Sequence, residues 1–347
     1  MTCPANWYPF PYEGQTEKTL FRRPLVGVVG GIITRVEQDH SYHCPVLLEA
    51  VLDALKICSD GLYIDATFGQ GGHAGAILKR LGPQGRLWAL DKDPEAVRAG
   101  GRFKEERRFA IEQGSFALLG DYAERNGIRG KVCGLLLDLG VSSPQLEDVK
   151  RGFSFTRDGP LDMRIDPTSN PSAAEWLARA KEREIAEVLK TYGEERYARR
   201  IARTLVEARD REPLRTTGQL VALIKQAVPW YERHKHQATR SFQAIRMHIN
   251  QELQELKSCL DQSVEVLACG GRLVVISFHS LEDRLVKRFI RREARGDEPL
   301  AGLPLPTCAP QPRLRQVGKV VRPTRAEIAR NPRARSALMR TAERLPC

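Results

Sequence analysis

Asp65-Ala-Thr-Phe-Gly69-Gln-Gly71-Gly72-His73-Ala74-Gly75 lies between two stretches of opposite character. Before it, Gly61-Leu-Tyr-Ile-Asp65 reads as a short buried strand. After it, residues 73–81 read as a helix. Strand, glycine turn and helix then repeat outward along the chain. Arg86-Leu-Trp-Ala-Leu-Asp91 is a second strand, and Pro94 to Phe103 suits a helix with proline in its first turn. Phe109–Gln113 is a third strand and Phe116–Arg125 a helix. Val132-Cys-Gly-Leu-Leu-Leu-Asp138 is a nearly all-apolar fourth strand, as a sheet covered on both faces requires. Upstream, Pro45 can open a helix that carries Val46, Leu47, Ala50, Val51 and Leu55.

This rhythm predicts an α/β fold with a doubly wound, mostly parallel sheet and right-handed crossovers. It stops after residue 145. From Ser172 to about Trp230 the chain reads as charged helices. Leu253, Leu256, Leu260, Val264 and Leu267 mark a further long helix, ended by Gly270-Gly271, and Arg272–Ser277 returns to strand. The expected organisation is a sheet domain over 41–146 and 248–347 and an inserted all-helical domain over 147–247. A leader over 1–40, rich in proline, is expected to be poorly ordered.

Composition narrows the classes. Hydrophobic residues make up 41% and charged residues 28%, an ordinary globular balance that excludes collagen-like and wholly disordered chains. The net charge of +12 favours a polyanionic partner. No apolar run approaches the ~20 residues of a membrane helix. The eight cysteines form no C-x-x-C pair, so they read as reduced thiols of a cytoplasmic protein and not as zinc ligands. Residues 311–347 carry ten Lys/Arg against two acids. They read either as a solvated or disordered tail or as phosphate contacts.

The glycine turn suits two cofactors. Gly69-x-Gly71-x-x-Ala74 fits the dinucleotide fingerprint, and it equally fits the loop of S-adenosylmethionine enzymes. Asp91 ends the next strand twenty residues after Gly71, where a carboxylate can take ribose hydroxyls. Three features favour the methyl donor. Asp65 before the glycines would repel a pyrophosphate but suits a cationic ligand. Phe116 follows the third strand, where an adenine can stack. Asp138 ends the fourth strand, at the edge where such sheets bind ligands.

Six strings then align in order: His43-x-Pro-Val-Leu-Leu-Glu, Asp65–His73, Asp138-Leu-Gly-Val-Ser-Ser-Pro-Gln145, Arg151-Gly-Phe-Ser-Phe155, Gly159-Pro-Leu-Asp-Met-Arg164 and Ser277-Phe-His-Ser-Leu-Glu-Asp283. Thr191–Glu195, Thr239–Arg246 and Asn331-Pro-Arg-Ala-Arg-Ser336 join them. Together they resemble the bacterial 16S ribosomal RNA cytosine-N4 methyltransferases, from about residue 42 to the C-terminus. The leader alone departs from that pattern. The resemblance implies a class I methyltransferase (Rossmann-like) fold with a helical insertion for RNA recognition. It implies S-adenosyl-L-methionine as cofactor and the small ribosomal subunit as partner, with methylation of a decoding-region cytosine near the P site. It carries cofactor contacts over to Gly71, Gly72, His73, Asp91, Phe116, Asp138 and Gln145; Asp65 joins them from its place before the glycines.

Attack by an exocyclic amine needs alignment and an acceptor for its hydrogens. Asp138 is expected between cofactor and amine. His279, after the fifth core strand, is a second candidate, as a base or as a contact to RNA; alternatively it anchors a turn in which Ser280 and Asp283 cap the next helix. Methylation at carbon 5 would instead need a cysteine thiolate. Cys133 lies inside a strand, Cys44 has no base beside it, and no cysteine follows the fourth strand. His234 and His236, in a polar stretch with Lys235, read as surface residues, open to RNA, and not as metal ligands. Arg196, Arg199, Arg200 and Arg203 form a basic helical face, either solvated or gripping RNA. The chain leaves monomer and dimer equally open.

Overall fold

The computed structural model describes residues 45–229, 236–295 and 311–346. The expected leader, Cys44, His234 and residues 296–310 lie outside them. Five apolar runs form parallel strands: β1 (Leu62–Asp65), β2 (Arg86–Asp91), β3 (Phe109–Gln113), β4 (Val132–Asp138) and β5 (Leu267–Ser277). Two more complete the sheet, β6 (Leu314–Val321) and β7 (Leu338–Arg344). The order is β3-β2-β1-β4-β5-β7-β6, and β7 runs antiparallel to both its neighbours.

The two-residue period of the strands divides the core. Leu62 and Ile64 of β1 and Leu135 and Leu137 of β4 face one side, whereas Tyr63 and Leu136 face the other. Helices α1 (Leu48–Leu55), α2 (Gly72–Arg80) and α3 (Pro94–Ala99) cover the Tyr63 side. The opposite side takes α4 (Leu119–Arg125), with Leu119, Tyr122 and Ala123 packed inward. After β4 come α5 (Ser143–Glu147) and then α6 (Ala173–Arg179), α7 (Glu182–Gly193), α8 (Ala198–Arg209), α9 (Thr217–Ala227) and α10 (Thr239–Ile249). Ser172 and Thr216 open α6 and α9 with capping boxes closed by Glu175 and Gln219. Helices α6 to α10 surround a hydrophobic cluster of their own, with Trp176, Ile185, Ile201, Ile224 and Phe242 inside it. In α8 the spacing of Ala198, Ile201, Ala202 and Leu205 turns those four inward and leaves Arg199, Arg200 and Arg203 exposed. Helices α11 (Glu252–Val266) and α12 (Ser280–Arg295) return to the sheet, and α13 (Arg325–Arg330) lies between β6 and β7.

Two expectations need correction. The α11 helix stops at Val266, and β5 begins at Leu267, ahead of the glycine pair. Leu267 pairs with Val132, and Gly270-Gly271 form an irregularity before Arg272 pairs with Gly134. Gly270 has φ +78°, and a Cβ on Gly271 would lie 2.7 Å from the Val132 carbonyl oxygen. The glycines therefore serve the strand and do not terminate the helix. The basic C-terminal segment is not a solvated tail either. Residues 314–321 and 338–344 are strands, and Arg313, Arg315 and Arg340 pair with Glu293, Glu343 and Asp283.

Candidate active site at the rim of the sheet

Strand order reverses between β1 and β4, which leaves a crevice beyond their C-terminal ends. The two strands deliver Asp65 and Asp138 to it. Asp65 is 1% exposed; its Oδ1 accepts the Thr67 N–H at 3.3 Å. Among the described residues its Oδ2 has no hydrogen-bond partner, and neither has the buried Oδ1 of Asp138. A quarter of the Asp138 side chain nevertheless stays open, at 25% exposure. Burial, with Asp91 adding to it, pushes the Asp65 carboxyl up to about 7. Burial and then the carboxyls of Asp65 and Glu282 push Asp138 up to about 8.

The glycine turn is tied to this rim. Gly69 N–H donates to Asp91 Oδ2 at 2.7 Å, and Asp93 N–H donates to Asp91 Oδ1 at 2.8 Å. Both Asp91 oxygens therefore hold backbone, and burial still pushes that carboxyl up to about 6. Gly71 has φ +66°, and a Cβ there would lie 2.4 Å from the Phe68 ring, so no side chain fits. Gly72 opens α2, and His73 follows it. His73 Nε2 lies 3.1 Å from the Val46 carbonyl, which it meets as donor. Burial lowers this imidazole to about 4, so the ring is neutral, and its Nδ1 lone pair faces Asp138 Oδ2 at 3.6 Å. One element absent from the sequence reading is Thr67. Its hydroxyl accepts the Asp138 N–H at 2.6 Å and fixes the end of β4 against the turn.

Gln145 lies behind the rim. Its Nε2 donates to Asp93 Oδ2 at 2.6 Å and its Oε1 accepts the Ser142 N–H at 2.7 Å. Arg151 donates to the same Asp93 oxygen at 3.0 Å. The Gln145 amide thus braces the loop after β4 against α3. Sequence reasoning missed Asp93, whose one signal is its place before Pro94, where it caps α3. Phe116 sits half-buried in the turn after β3, packed on the edge of the core.

His279 stands across the rim, after β5. Its Nδ1 accepts the Glu282 N–H at 3.4 Å. Its Nε2 lies 2.9 Å from Glu282 Oε1 but is not aligned to hydrogen bond with it. Glu282, 2% exposed, accepts the Phe278 N–H at 2.9 Å. Glu282 therefore does the capping expected of Ser280 and Asp283, while Asp283 turns to Arg340 of β7 at 2.7 Å. Glu252, His279 and Glu282 come close together, but the Arg246 guanidinium grips Glu252 at 2.7 and 2.8 Å and supplies the countercharge.

Between this rim and the helices after it lies a cavity of about 300 Å³. Leu139 and Val141 line it from the loop after β4. Phe153, Phe155 and Phe242 close it from the other side, and Gln243, His279 and Arg333 supply polar atoms. His236 is not the free surface residue expected: it is half-buried and stacks on Phe155, centroids 4.9 Å apart. Among the described residues no cysteine lines the cavity, and Cys133 is half-buried in β4. The rim thus brings together Asp65, Gly71, Gly72, His73, Asp91 and Asp138. It faces an aromatic-walled space with His279 among its lining residues.

Buried carboxyls with open valences suit a cationic ligand. No helix of the described residues is long and apolar enough to cross a membrane.

Residues 40–345 match the model of the MraW methylase family. The chain is 59% identical over 305 residues to "Ribosomal RNA small subunit methyltransferase H" of Thioalkalivibrio sulfidiphilus, covering 87% of this chain and 97% of that one. It is 55% identical to the protein of the same name in Chromohalobacter salexigens, over 87% of this chain and 92% of that one. The Methylococcus capsulatus protein of that name is 56% identical, over 86% and 99%.

Proposed function

The chain belongs to the MraW methylase family, and from that premise we propose that it methylates the exocyclic N4 of one cytosine in the decoding region of 16S rRNA, near the P site. The partner is the small ribosomal subunit, and the compartment is the cytoplasm, where that subunit is made. S-adenosyl-L-methionine supplies an electrophilic methyl group on a sulfonium. The dinucleotide alternative falls away with the family.

One observation carries the assignment of roles. Asp138 ends β4 with a buried, unpartnered oxygen, and the next residue, Leu139, is already a wall of the aromatic cavity. Asp65, Gly71, Gly72, His73 and Asp91 hold the donor on one side of Asp138; Phe116 and Gln145 complete that side, Gln145 through its brace to Asp93. The target base enters the cavity on the other side, extruded from its strand and held between aromatic walls. A cytosine amine is a weak nucleophile because its lone pair is delocalised into the ring. The Asp138 carboxylate accepts a hydrogen bond from the amine, lets the nitrogen pyramidalise toward the donor, and takes the proton that the nitrogen gives up on methylation, the spent donor leaving as a neutral thioether. The cation on the donor side favours the ionised form of Asp138 against the burial that opposes it. His279, held by Glu282, contacts the base or its ribose from the opposite wall. The helices over 147–247 form the RNA-recognition part, with the exposed arginines of α8 on its surface.

Purified protein, radiolabelled S-adenosyl-L-methionine and small subunits from cells lacking this protein provide the test. Label is expected in the subunit RNA at one methyl per particle. Subunits that stay unlabelled while the protein binds the donor would leave an assembly factor in place of an enzyme.

A further inference from the structure

The string Asn331-Pro-Arg-Ala-Arg-Ser336 has no part in the roles above. Its structure explains the alternation of its residues. Ala334 is 0% exposed and Ala337 1%, and both pack with Val46 and Leu47 on the α1 side of the sheet. Asn331 Oδ1 accepts the Arg333 N–H at 3.2 Å and holds a short helical turn. Just upstream, Thr324 caps α13, and Glu327 accepts the Leu47 N–H at 2.6 Å. The alanines anchor the segment, and the arginines around them stay on the surface. Arg330, Arg333 and Arg335 are all exposed, and Arg325 precedes them.

Charge along this segment is one-sided. Glu327 is its single acid, and one oxygen of that carboxylate accepts a backbone N–H. Arg330 and Arg335 meet no acid among the described residues. Arg333 pairs with Glu147 at 2.8 Å, but the two side chains are 40% and 62% exposed, and so open a pair is weak. Arg333 also lines the aromatic cavity. One cation of the basic segment, Arg333, therefore reaches the cavity, with exposed Arg330 and Arg335 three residues before it and two after it in the chain. All its cations are arginines, whose planar forks match phosphate oxygens in a way a lysine ammonium does not.

We propose that Arg330, Arg333 and Arg335 form a rigid phosphate-binding apron at the cavity mouth, which grips the RNA backbone on one flank of the nucleotide that enters. Arg333 exchanges Glu147 for the nearest phosphate, and Arg330 and Arg335 take neighbouring phosphates. The inference rests on the proposed entry of a base into that cavity. It places an RNA contact on the sheet domain, apart from the exposed arginines of α8.

The double variant R330Q/R335Q tests it, with R330K/R335K beside it. Both positions are exposed, so thermal unfolding should match the wild type. Expected for the Gln pair is a KM for small subunits raised by about tenfold, with kcat at saturation and donor affinity retained. The logarithmic salt slope of RNA binding should fall by roughly 1 to 2, as loss of two phosphate contacts requires. The Lys pair should restore the salt slope but only part of the affinity. Wild-type RNA affinity and salt slope in the Gln pair would overturn the apron, and would leave an acidic protein as the partner of this surface. Should the pair fail to fold, R335Q alone decides, with an expected slope change of roughly 0.7. If the wild type itself transfers no methyl to subunits, the base-entry reading has failed independently.

Discussion

The rim of the sheet and the helices after β4 use their polar residues in opposite ways. At the rim, Asp65 is buried and Asp138 half-buried, each with one covered oxygen that has no hydrogen-bond partner among the described residues, and half-buried Asp91 is held by backbone N–H groups. Among the helices, polar groups close on one another. Asn250 donates to the Met163 carbonyl at 2.7 Å and accepts the Ile165 N–H at 2.7 Å, and Arg246 closes on Glu252. A protein that is only marginally stable keeps buried carboxyls uncompensated where a ligand completes them. Among the described residues the helical part leaves no buried carboxyl oxygen open, its one unpartnered buried side-chain atom being Ser241 Oγ of α10; it offers aromatic walls and an exposed basic face. In the function proposed above, chemistry belongs to the rim, and recognition belongs to the helices and the C-terminal segment.

The largest effect expected from breaking this division is at Asp138. Asp138→Ala should lower the single-turnover rate of methyl transfer by about 10²-fold or more, as loss of one aligned polar group in a dry site does. Donor affinity, measured in parallel by calorimetry, separates a loss of donor binding from a loss of amine alignment. Wild-type values for both would remove Asp138 from the site.

The next effect is one of pH. Asp65 and Asp138 titrate near 7 and 8 in the free protein, well above an unfolded carboxyl. The folded state therefore binds more protons than the unfolded state between about pH 4 and 8, and these two groups make stability fall as pH rises through that window. Burial of neutral His73, lowered to about 4, acts the other way between about pH 4 and 6.5. Donor binding reverses the balance at Asp65 and Asp138, because a cation favours their ionised forms. Affinity for the sulfonium donor should rise by up to about tenfold per pH unit from 6 to 8, and affinity for its neutral thioether product should rise less. Equal pH profiles for the two ligands would contradict the charge pairing.

A smaller effect is expected in the helices. Reversing charge at Arg199 and Arg203 of α8 should weaken RNA binding by roughly threefold to tenfold and flatten its salt dependence, with donor affinity untouched. Arg203 lies 4.0 Å from Glu182, so its share should be the lesser. Unchanged RNA binding would assign that face to solvent. The smallest effect is at sulfur. Cys133→Ala should change methyl transfer by less than about twofold, since a nitrogen nucleophile needs no thiolate. A large loss at equal stability would reopen carbon 5.

The sheet domain was more legible in the sequence than the helical part, for physical reasons. β1, β2 and β4 are buried on both faces, so their runs are apolar throughout and end in acids at one rim. Helix α8 was visible through its arginines, but the space between α10 and the loop after β4 has no local signature. Phe153, Phe155 and Phe242 meet only through the tertiary fold. β6 was hidden because an edge strand buries little: Leu314 is its one buried residue. The start of β5 was hidden by glycines that imitate a helix stop. At the site, the acids and glycines were readable from position. The partners that hold them were not, because Thr67, Asp93 and Glu282 act across folded distances or at a helix start.

The central claim is that a carboxyl at the end of β4 presents an amine to the donor. Nucleoside mass spectrometry of small-subunit RNA tests it most directly, comparing cells that lack this protein with the same cells given the wild type or Asp138→Ala. The account predicts that the wild type restores one methyl, on the exocyclic nitrogen of a single cytosine, and that the variant does not. A methyl restored on ring carbon 5, or restored equally by the variant, would contradict it.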